Sequence, residues 1–266
     1  MLINNNALCE MANSVKLNFY SFGCATVKSN WRGYVKNPQF SRLYYIESGK
    51  ACIEYNEQRV ELLPQRWYLF PAGFSFDYSC DKEMKHIFFH ITLAGADGID
   101  LLSRFEKPVF EKDATNPFSF FKKHFKSNRL ASSIAIKEKV YGRVLSLLNK
   151  NNINPEVKEF SPCVQNALEF INNNLNKKID LSIIAEHTFV SRSTLTNKFK
   201  KELNITVQEY IQRQKMFLAE QMLKNTNLSV AQISEQLGYS EQFYFSRCFK
   251  QSFGVSPREY KKSRIN

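Results

Sequence analysis

Residues 229–260, SVAQISEQLGYSEQFYFSRCFKQSFGVSPREY, decide the fold of the C-terminal part of this 266-residue chain. Apolar residues recur there at helical spacing, and the run is interrupted once, by Gly238-Tyr239-Ser240. Such an interruption is typical of a tight turn between two short helices. The stretch therefore predicts a helix-turn-helix motif.

The second helix of this motif has two unlike faces. We expect Ser240 to cap it, and Phe245 and Phe249 to form its buried stripe. Gln242 and Arg247 fall on the opposite side. Because Gln can pair with an adenine edge and Arg with a guanine edge, this face suits the major groove of DNA.

A second copy of the pattern lies at residues 181–210. Ser191 matches Ser240 at an offset of 49 and Phe199 matches Phe249 at an offset of 50, so the second motif gains one residue. A repeat in such register indicates one domain with two helix-turn-helix motifs.

Between the copies, Thr206-Val-Gln-Glu209 predicts a capping box that opens a helix ending near Lys224. The residues expected on its packed face are Tyr210, Met216, Phe217, Ala219 and Leu223. At 1.5 Å per residue this helix is about 27 Å long. It could hold two recognition helices about one DNA turn apart, roughly 34 Å.

The segments ISEQLGYSEQFYFSRCFK at 233–250 and FGVSPREY at 253–260 resemble the signature of AraC/XylS-type transcription regulators, and Ala185, Ser191, Leu195, Phe199-Lys200 and Tyr210 match the first half of that domain. The resemblance implies a seven-helix DNA-binding domain. Carried over by position, it implies DNA contacts from Arg192, Ser193, Thr196, Asn197 and Lys198 in the first recognition helix, and from Gln242, Phe243, Arg247 and Lys250 in the second. Phe243 replaces the small polar residue usual there, and either contacts a thymine methyl group or packs.

Composition is that of a globular protein, with 43% hydrophobic and 23% charged residues, and the length suits two domains. Net charge is +12, and residues 160–266 carry 15 Lys and Arg against 9 Asp and Glu. The excess favours phosphate contact, although a generally basic proteome would also produce it.

The six cysteines are scattered without a C-x-x-C pair, which indicates reduced thiols in a reducing cytoplasm. The N-terminus lacks signal-peptide features and no apolar run approaches the ~20 residues of a membrane span. We therefore expect a cytoplasmic protein without membrane contact.

The N-terminal half has the texture of a small β-sandwich or barrel. After a polar arm at 1–30, short β-type runs are separated by turn signals every 8 to 12 residues. The predicted strands are 16–22, 42–47, 50–55, 59–63, 67–70, 74–78 and 85–93. The phrases YIESGKACI at 45–53 and LFPAG at 69–73 are similar to the cupin-like effector domain of the same family.

Alternation along 85–93 places His86, Phe88 and His90 on one side of a strand and Ile87, Phe89 and Ile91 on the other. Tyr78, His86 and Phe88 fall where sugar-sensing members of the family place ligand contacts, and Arg42, Tyr44 and Trp67 are expected to close the pocket. Aromatic walls with a few polar groups suit a sugar. The alternative is that these side chains only fill a small barrel.

Metal-dependent catalysis is disfavoured. A metal-binding cupin resembles H-x-H, a nearby Glu and a later His, whereas the segment after LFPAG is Phe74-Ser75-Phe76-Asp77. His86 and His90 stand about 13 Å apart along one strand, too far to chelate one ion. We predict no catalytic residue, no metal, no cofactor and no enzyme activity.

Helical spacing returns at 99–105, 117–125 and 132–148. The last helix pairs with its copy in a second subunit, or lies against its own barrel. A polar stretch with two prolines follows, and Ser161-Pro162 is a helix start whose expected apolar face is Val164, Leu168, Ile171 and Leu175.

The sequence thus predicts an α+β protein with two domains: a cupin-like ligand-sensing and dimerisation domain at 1–148, a linker at 149–160, and an AraC-type DNA-binding domain at 161–266. The expected function is sequence-specific transcription regulation, as an activator that binds double-stranded DNA and responds to a small-molecule effector such as a carbohydrate. The expected protein partners are a second copy of the chain, in a homodimer, and RNA polymerase. The alternatives are a cupin-type enzyme fused to a DNA-binding domain, and a regulator whose barrel only oligomerises.

Overall fold

The computed structural model describes residues 5–95, 100–153, 160–177 and 179–262. The chain divides into two compact units, Met1–Glu156 and Val157–Asn266. Unit 1 is rich in strands and unit 2 is helical, so the predicted α+β class is confirmed. None of the described helices is long and apolar enough to cross a bilayer.

Unit 1 is built on two antiparallel sheets. The five-stranded sheet has the order β1-β8-β3-β6-β9 and the four-stranded sheet the order β2-β7-β4-β5. The strands are β1 (Lys16–Lys28), β2 (Arg32–Val35), β3 (Ser41–Gly49), β4 (Ala51–Tyr55), β5 (Gln58–Leu62), β6 (Arg66–Phe70), β7 (Phe76–Ser79), β8 (Glu83–Ala94) and β9 (Val109–Lys112).

The helical elements of unit 1 are α1 (Asn6–Ser14), a 3-10 turn (Leu101–Arg104), α2 (Phe118–Phe125) and α3 (Leu130–Lys150). Only a 3-10 turn, Leu101–Arg104, lies where a helix was predicted at 99–105, and residue 99 is outside the described residues. The expected linker start at 149 falls inside α3, and residues 154–159 of that linker are not described.

Three parts of unit 1 differ from the sequence prediction. The expected polar arm is α1 followed by the thirteen-residue β1, which pairs with β8 over most of its length. β2 and β9 were not expected, and β9 lies in a stretch interpreted as helical. Its register against β6 is set by an alternation in which Val109 and Glu111 are buried.

Alternation along β8 divides unit 1 into two apolar clusters, as predicted. Ile87 and Phe89 join an outer cluster in which the large sheet packs on α2 and α3 through residues such as Phe121 and Val140. The opposite face lies between the sheets, where residues of the large sheet such as Tyr44 meet residues of the small one, among them Ile53 and Phe76.

Unit 2 consists of seven helices in its described part: α4 (Pro162–Asn173), α5 (Leu181–His187), α6 (Arg192–Leu203), α7 (Val207–Asn225), α8 (Val230–Gln236), α9 (Gln242–Phe253) and α10 (Pro257–Lys262). Ser161 precedes α4, and Val164, Leu168 and Ile171 are buried as expected, whereas Leu175 lies beyond the helix and is half-buried.

The predicted capping box at the start of α7 is present. The Thr206 hydroxyl accepts a hydrogen bond from the Glu209 amide, and the Glu209 carboxylate accepts one from the Thr206 amide. On the expected packed face, Tyr210, Met216, Ala219 and Leu223 are buried and Phe217 is half-buried.

A charged cluster joins α3 to β9 on the outer side of the large sheet. Arg143 donates to Glu111 at 2.7 Å and also to Asp113, while Lys150 donates to Glu111. Trp67 donates its indole N–H to Asp113 at 2.9 Å. Burial alone would raise the pKa of both carboxyls. Hydrogen bonds from Lys150, Arg143 and Ser146 outweigh it at Glu111 and lower that pKa, and hydrogen bonds from Thr115 and Trp67 together with the Arg143 charge do the same at Asp113.

The cluster makes the stability of unit 1 depend on pH. Because folding lowers the pKa of both carboxyls, their stabilising contribution is present above their ordinary values of 4.5 and 3.8 and is lost as the pH falls through the folded values. Arg143→Met should reduce the free energy of unfolding at pH 7 by roughly 3 kcal/mol, since it removes the guanidinium that bridges two buried carboxylates. The deficit should narrow towards pH 4, where protonation removes the uncompensated charges.

Urea unfolding followed by tryptophan fluorescence measures this effect, because both tryptophans, Trp31 and Trp67, lie in unit 1. Arg59→Met is the matched control, since Arg59 and its partner Glu54 are exposed. It should leave stability nearly unchanged at either pH. A deficit for Arg143→Met that is the same at pH 7 and pH 4 would contradict the electrostatic account.

Candidate nucleic-acid interface and effector site

The two helix-turn-helix motifs are α5 with α6 and α8 with α9. The first helices of the motifs, Leu181–His187 and Val230–Gln236, are offset by 49 residues, and the second helices, Arg192–Leu203 and Gln242–Phe253, by 50. The extra residue of the second motif therefore lies in its turn.

The expectation that Ser240 caps α9 is wrong. The N-cap is Glu241, whose side chain makes no capping hydrogen bond, whereas Ser191 caps α6 by accepting from the Thr194 amide at 3.1 Å. The extra turn residue moves the start of α9 by one position. The N-cap position that Ser191 occupies in α6 is therefore occupied in α9 by Glu241 and not by Ser240. Earlier in both turns, Phe189 and Gly238 share a left-handed conformation with φ of 55° and 71°.

α6 and α9 have the same pattern of burial along their first nine residues, apart from one position. Leu195 and Phe199 are buried in α6, as are Phe245 and Phe249 in α9. The exception is Lys198, which is exposed where α9 has the buried Cys248. Two helices with matched buried stripes present matched outer faces.

The residues predicted to contact DNA lie mostly on these outer faces. Arg192, Ser193, Asn197 and Lys198 are exposed in α6 and Thr196 is half-buried, while Gln242, Phe243, Arg247 and Lys250 are exposed in α9. The Phe243 side chain is 89% exposed, so it does not pack within its unit.

At an offset of 50, Asn197 occupies the place of Arg247, and both residues are exposed. The Arg247 guanidinium lies 5.3 Å from the centre of the Tyr244 ring, a cation–π geometry, and has no carboxylate partner among the described residues. Sequence reasoning missed Tyr244, which stands one turn before Arg247 on the same helix.

Both motifs are attached to α7 by charged residues that the sequence analysis did not select. Lys215 is buried and donates to the carbonyl of Lys177, before α5, at 3.0 Å and to that of Leu237, at the end of α8, at 2.6 Å. Burial lowers the pKa of Lys215. Glu220, also buried, accepts from the Tyr260 hydroxyl at 2.5 Å and holds α10.

In unit 1, five of the six predicted effector contacts come together between the sheets. Arg42 and Tyr44 lie on β3, Tyr78 on β7, and His86 and Phe88 on β8. The ring centre of His86 lies 5.2 Å from that of Tyr44 and 6.0 Å from that of Phe88. The Tyr44 and Tyr78 hydroxyls act electrostatically on Arg42. We call these five residues the inner polar cluster.

The structure does not bring Trp67 into the inner polar cluster. Trp67 pairs with Tyr45 across β6 and β3, and therefore shares the face of Tyr45 rather than that of Arg42 and Tyr44. Its indole packs in the outer cluster instead. The side of the sheet on which Trp67 lies follows from its pairing with Tyr45, and residue type alone does not indicate it.

Three aromatic residues around the inner polar cluster were missed or left unassigned. The Trp31 ring lies 4.5 Å from Tyr78 and 6.2 Å from His86. The Phe40 ring stacks on His90 at 4.8 Å, and the Arg42 guanidinium lies 4.8 Å from the Phe40 ring centre. Alternation had placed His90 on the same strand face as His86 and Phe88, but His90 was not selected as an effector contact.

Burial shifts the pKa values of the titratable groups in and beside the inner polar cluster. It lowers the pKa of His86 to about 4, and it lowers the pKa of His90 well below 6.5 with help from Arg42 and His86. Burial also lowers the pKa of Arg42 and raises that of Tyr44. At neutral pH both imidazoles are uncharged, so Arg42 is the charged member of the group.

Two buried polar atoms here lack a hydrogen-bond partner, Nη1 of Arg42 and Nδ1 of His86. The described part of the chain brings no three His, Cys, Asp or Glu side chains into a metal-holding group. These residues can form hydrogen bonds and apolar contacts with a small molecule. Among the five residues of the inner polar cluster there is no serine, threonine or cysteine that a base could activate as a nucleophile.

Comparison with known proteins bears on both units. A family model described as a helix-turn-helix domain matches residues 184–263. The Msm operon regulatory protein of Streptococcus mutans is 25% identical over 267 residues, covering 93% of this chain and 89% of its own. The lactose operon transcription activator of Staphylococcus xylosus is 25% identical over 235 residues, covering 84% of each chain.

Among solved structures, ToxT from Vibrio cholerae matches 94% of this chain and 98% of its own with a TM-score of 0.59 at 16% identity. At that identity the likeness concerns the fold, and it extends over both units. The repeated motif, the operon regulators aligned along most of the chain and the two-unit architecture all agree with the resemblance of this chain to AraC/XylS-type transcription regulators.

Proposed function

We propose that this regulator reads two successive major grooves of double-stranded DNA with α6 and α9, and that a small molecule bound at the inner polar cluster controls it. The observation that carries the proposal is the matched burial of α6 and α9, which leaves Asn197 and Arg247 exposed at equivalent positions. Asn can make a bidentate pair with adenine and Arg with guanine.

The geometry of α7 supports reading from one side of the duplex. Its nineteen residues span about 28 Å at 1.5 Å per residue. Lys215 ties residues next to both motifs to this one helix, so the motifs are held in a defined relation. The spacing suits half-sites about one helical turn apart.

A carbohydrate effector is proposed on two grounds. The name of the Staphylococcus xylosus relative connects that protein to a lactose operon. The inner polar cluster offers aromatic faces and a few polar atoms, which suit a sugar. We further propose the domain roles set out above, with unit 1 as sensor, action in the cytoplasm, and activation through contact with RNA polymerase.

We also propose that α3 forms a homodimer with its copy. Leu130, Ile134 and Leu145 are apolar side chains of α3 that are 77%, 60% and 58% exposed, and they lie within about 60° of one another around the helix axis. We call these three residues the exposed apolar stripe. Gly142 lies beside this stripe with no heavy atom near the place of a Cβ. A mid-helix glycine costs up to about 1 kcal/mol relative to alanine, and close approach of a second helix would explain it.

The DNA-reading model is tested first by capturing genomic fragments with the purified full-length protein and sequencing them. Enriched fragments should share two sequence blocks about one helical turn apart. At such a site Arg247→Ala should weaken binding by about 1 to 3 kcal/mol and relax the preference for one base pair. Lys250→Ala should weaken all sequences about equally and reduce the salt dependence.

Lys123→Ala, at an exposed position on α2 in unit 1, is the control and should leave DNA affinity unchanged. Equal losses on the specific site and on random DNA for Arg247→Ala would show that this residue contacts only phosphate.

The dimer is tested by sedimentation equilibrium of the full-length protein. Leu145→Glu should raise the dimer dissociation constant at least tenfold, because it would bury a charge at an apolar interface. Lys139→Glu, exposed and about a third of a turn away around the helix, should leave the mass unchanged. Wild-type mass for both variants would exclude α3 as the interface.

The effector site is tested with Trp31 as its reporter. A sugar or sugar derivative that raises the melting temperature should also change the tryptophan fluorescence. The change should disappear in Trp31→Phe and persist in Trp67→Phe, because only Trp31 lies against the inner polar cluster. A fluorescence change that survives Trp31→Phe would place the effector elsewhere.

A further inference from the structure

The charge of Arg42 is uncompensated within the inner polar cluster. Its electrostatic partners are the Tyr44 and Tyr78 hydroxyls and the Phe40 ring, and no carboxylate pairs with it among the described residues. Both nearby imidazoles are neutral, since burial lowers the pKa of each. The cluster therefore holds a net positive charge between the sheets.

The unpaired atoms of the cluster indicate what would complete it. Nη1 of Arg42 is a donor without an acceptor, and Nδ1 of His86 also lacks a partner. A guanidinium matches the planar geometry of a carboxylate or the oxygens of a phosphate better than a single hydroxyl. A buried guanidinium is costly unless an opposite charge is supplied, and the protein supplies none here.

Nη1 of Arg42 and Nδ1 of His86 are themselves buried, but the side chains around them are partly open to solvent. Arg42, Tyr78, Phe88, His90 and Trp31 are all half-buried rather than sealed. The faces of Trp31 and Phe88 provide apolar surface on either side of His86, whose ring lies 6.2 Å from Trp31 and 6.0 Å from Phe88. The body of a small molecule would contact these rings while its charged group meets Arg42.

We propose that the effector of this regulator is a small organic anion, such as a sugar acid or a sugar phosphate, whose carboxylate or phosphate pairs with Arg42. This inference rests on the proposed sensor role of unit 1 and narrows its ligand class. A neutral sugar would leave the Arg42 charge uncompensated, so the cluster should discriminate against it.

The test compares isosteric ligands that differ in charge. The full-length protein is titrated with D-glucuronate and with D-glucuronamide, followed by Trp31 fluorescence in Trp67→Phe and by melting temperature. Glucose 6-phosphate and glucose form a second pair that distinguishes a phosphate from a carboxylate. The charged member of at least one pair should bind at least tenfold more tightly than its neutral partner.

Arg42→Gln should abolish this preference, whereas Arg59→Gln, at an exposed position on β5, should retain it. Circular dichroism and melting of Arg42→Gln establish that the variant is folded, and it should be no less stable than wild type because an uncompensated charge is removed.

Equal binding of charged and neutral members would overturn the anion proposal while leaving the sensor role intact. Binding of lactose or glucose alone, unaffected by Arg42→Gln, would have the same meaning. No response to either anion at about 10 mM, well above the ~1 mM upper end of typical enzyme KM values for small molecules, would also overturn the proposal.

Discussion

Unit 1 depends on the alternation of side chains along β8. One face of this strand packs on α2 and α3 through Ile87 and Phe89, and the other face places His86 and Phe88 between the sheets. Because β8 pairs with both β1 and β3, its parity determines which residues of those strands point inwards. A shift of one residue would exchange the polar interior for the apolar exterior. The pairing thus determines stability and the composition of the candidate effector site together.

Unit 2 depends on different contacts, which orient two equivalent helices, α6 and α9, relative to α7. The buried stripes of α6 and α9 fix the rotation of each helix about its axis, and Lys215 and Glu220 fix the neighbouring elements on α7. Buried charges are costly, yet each of these is hydrogen-bonded to groups that would otherwise be unsatisfied carbonyls or hydroxyls. Such bonds have directional preferences that apolar packing lacks, so they suit a domain whose function depends on spacing.

Periodicity alone predicted the helices of unit 2, because their apolar stripes are continuous and their caps are local. It failed where the deciding contact is distant in sequence. β9 was not predicted as a strand because the burial of Glu111 depends on Arg143 and Lys150, more than thirty residues away. Trp67 was misplaced because the face of a strand is set by its partner. Ser240 was taken as a cap because the extra residue could be located in the turn only from the helix bounds.

Among the described residues of unit 1, three buried side-chain polar atoms lack a hydrogen-bond partner, and two of them, Nη1 of Arg42 and Nδ1 of His86, lie together in the inner polar cluster; the third is Oε1 of Gln39. Elsewhere in that unit, the buried carboxylates Glu111 and Asp113 have charged partners, and the buried Trp67 indole N–H is bonded. Leaving a buried donor unpaired costs about 1 to 3 kcal/mol, so two such atoms in one place are a substantial burden for a small domain. Apolar residues in place of Arg42 and His86 would remove both unpaired atoms and allow tighter packing. Their presence among well-packed aromatic rings is therefore better explained by a ligand that supplies the missing acceptor than by the requirements of folding.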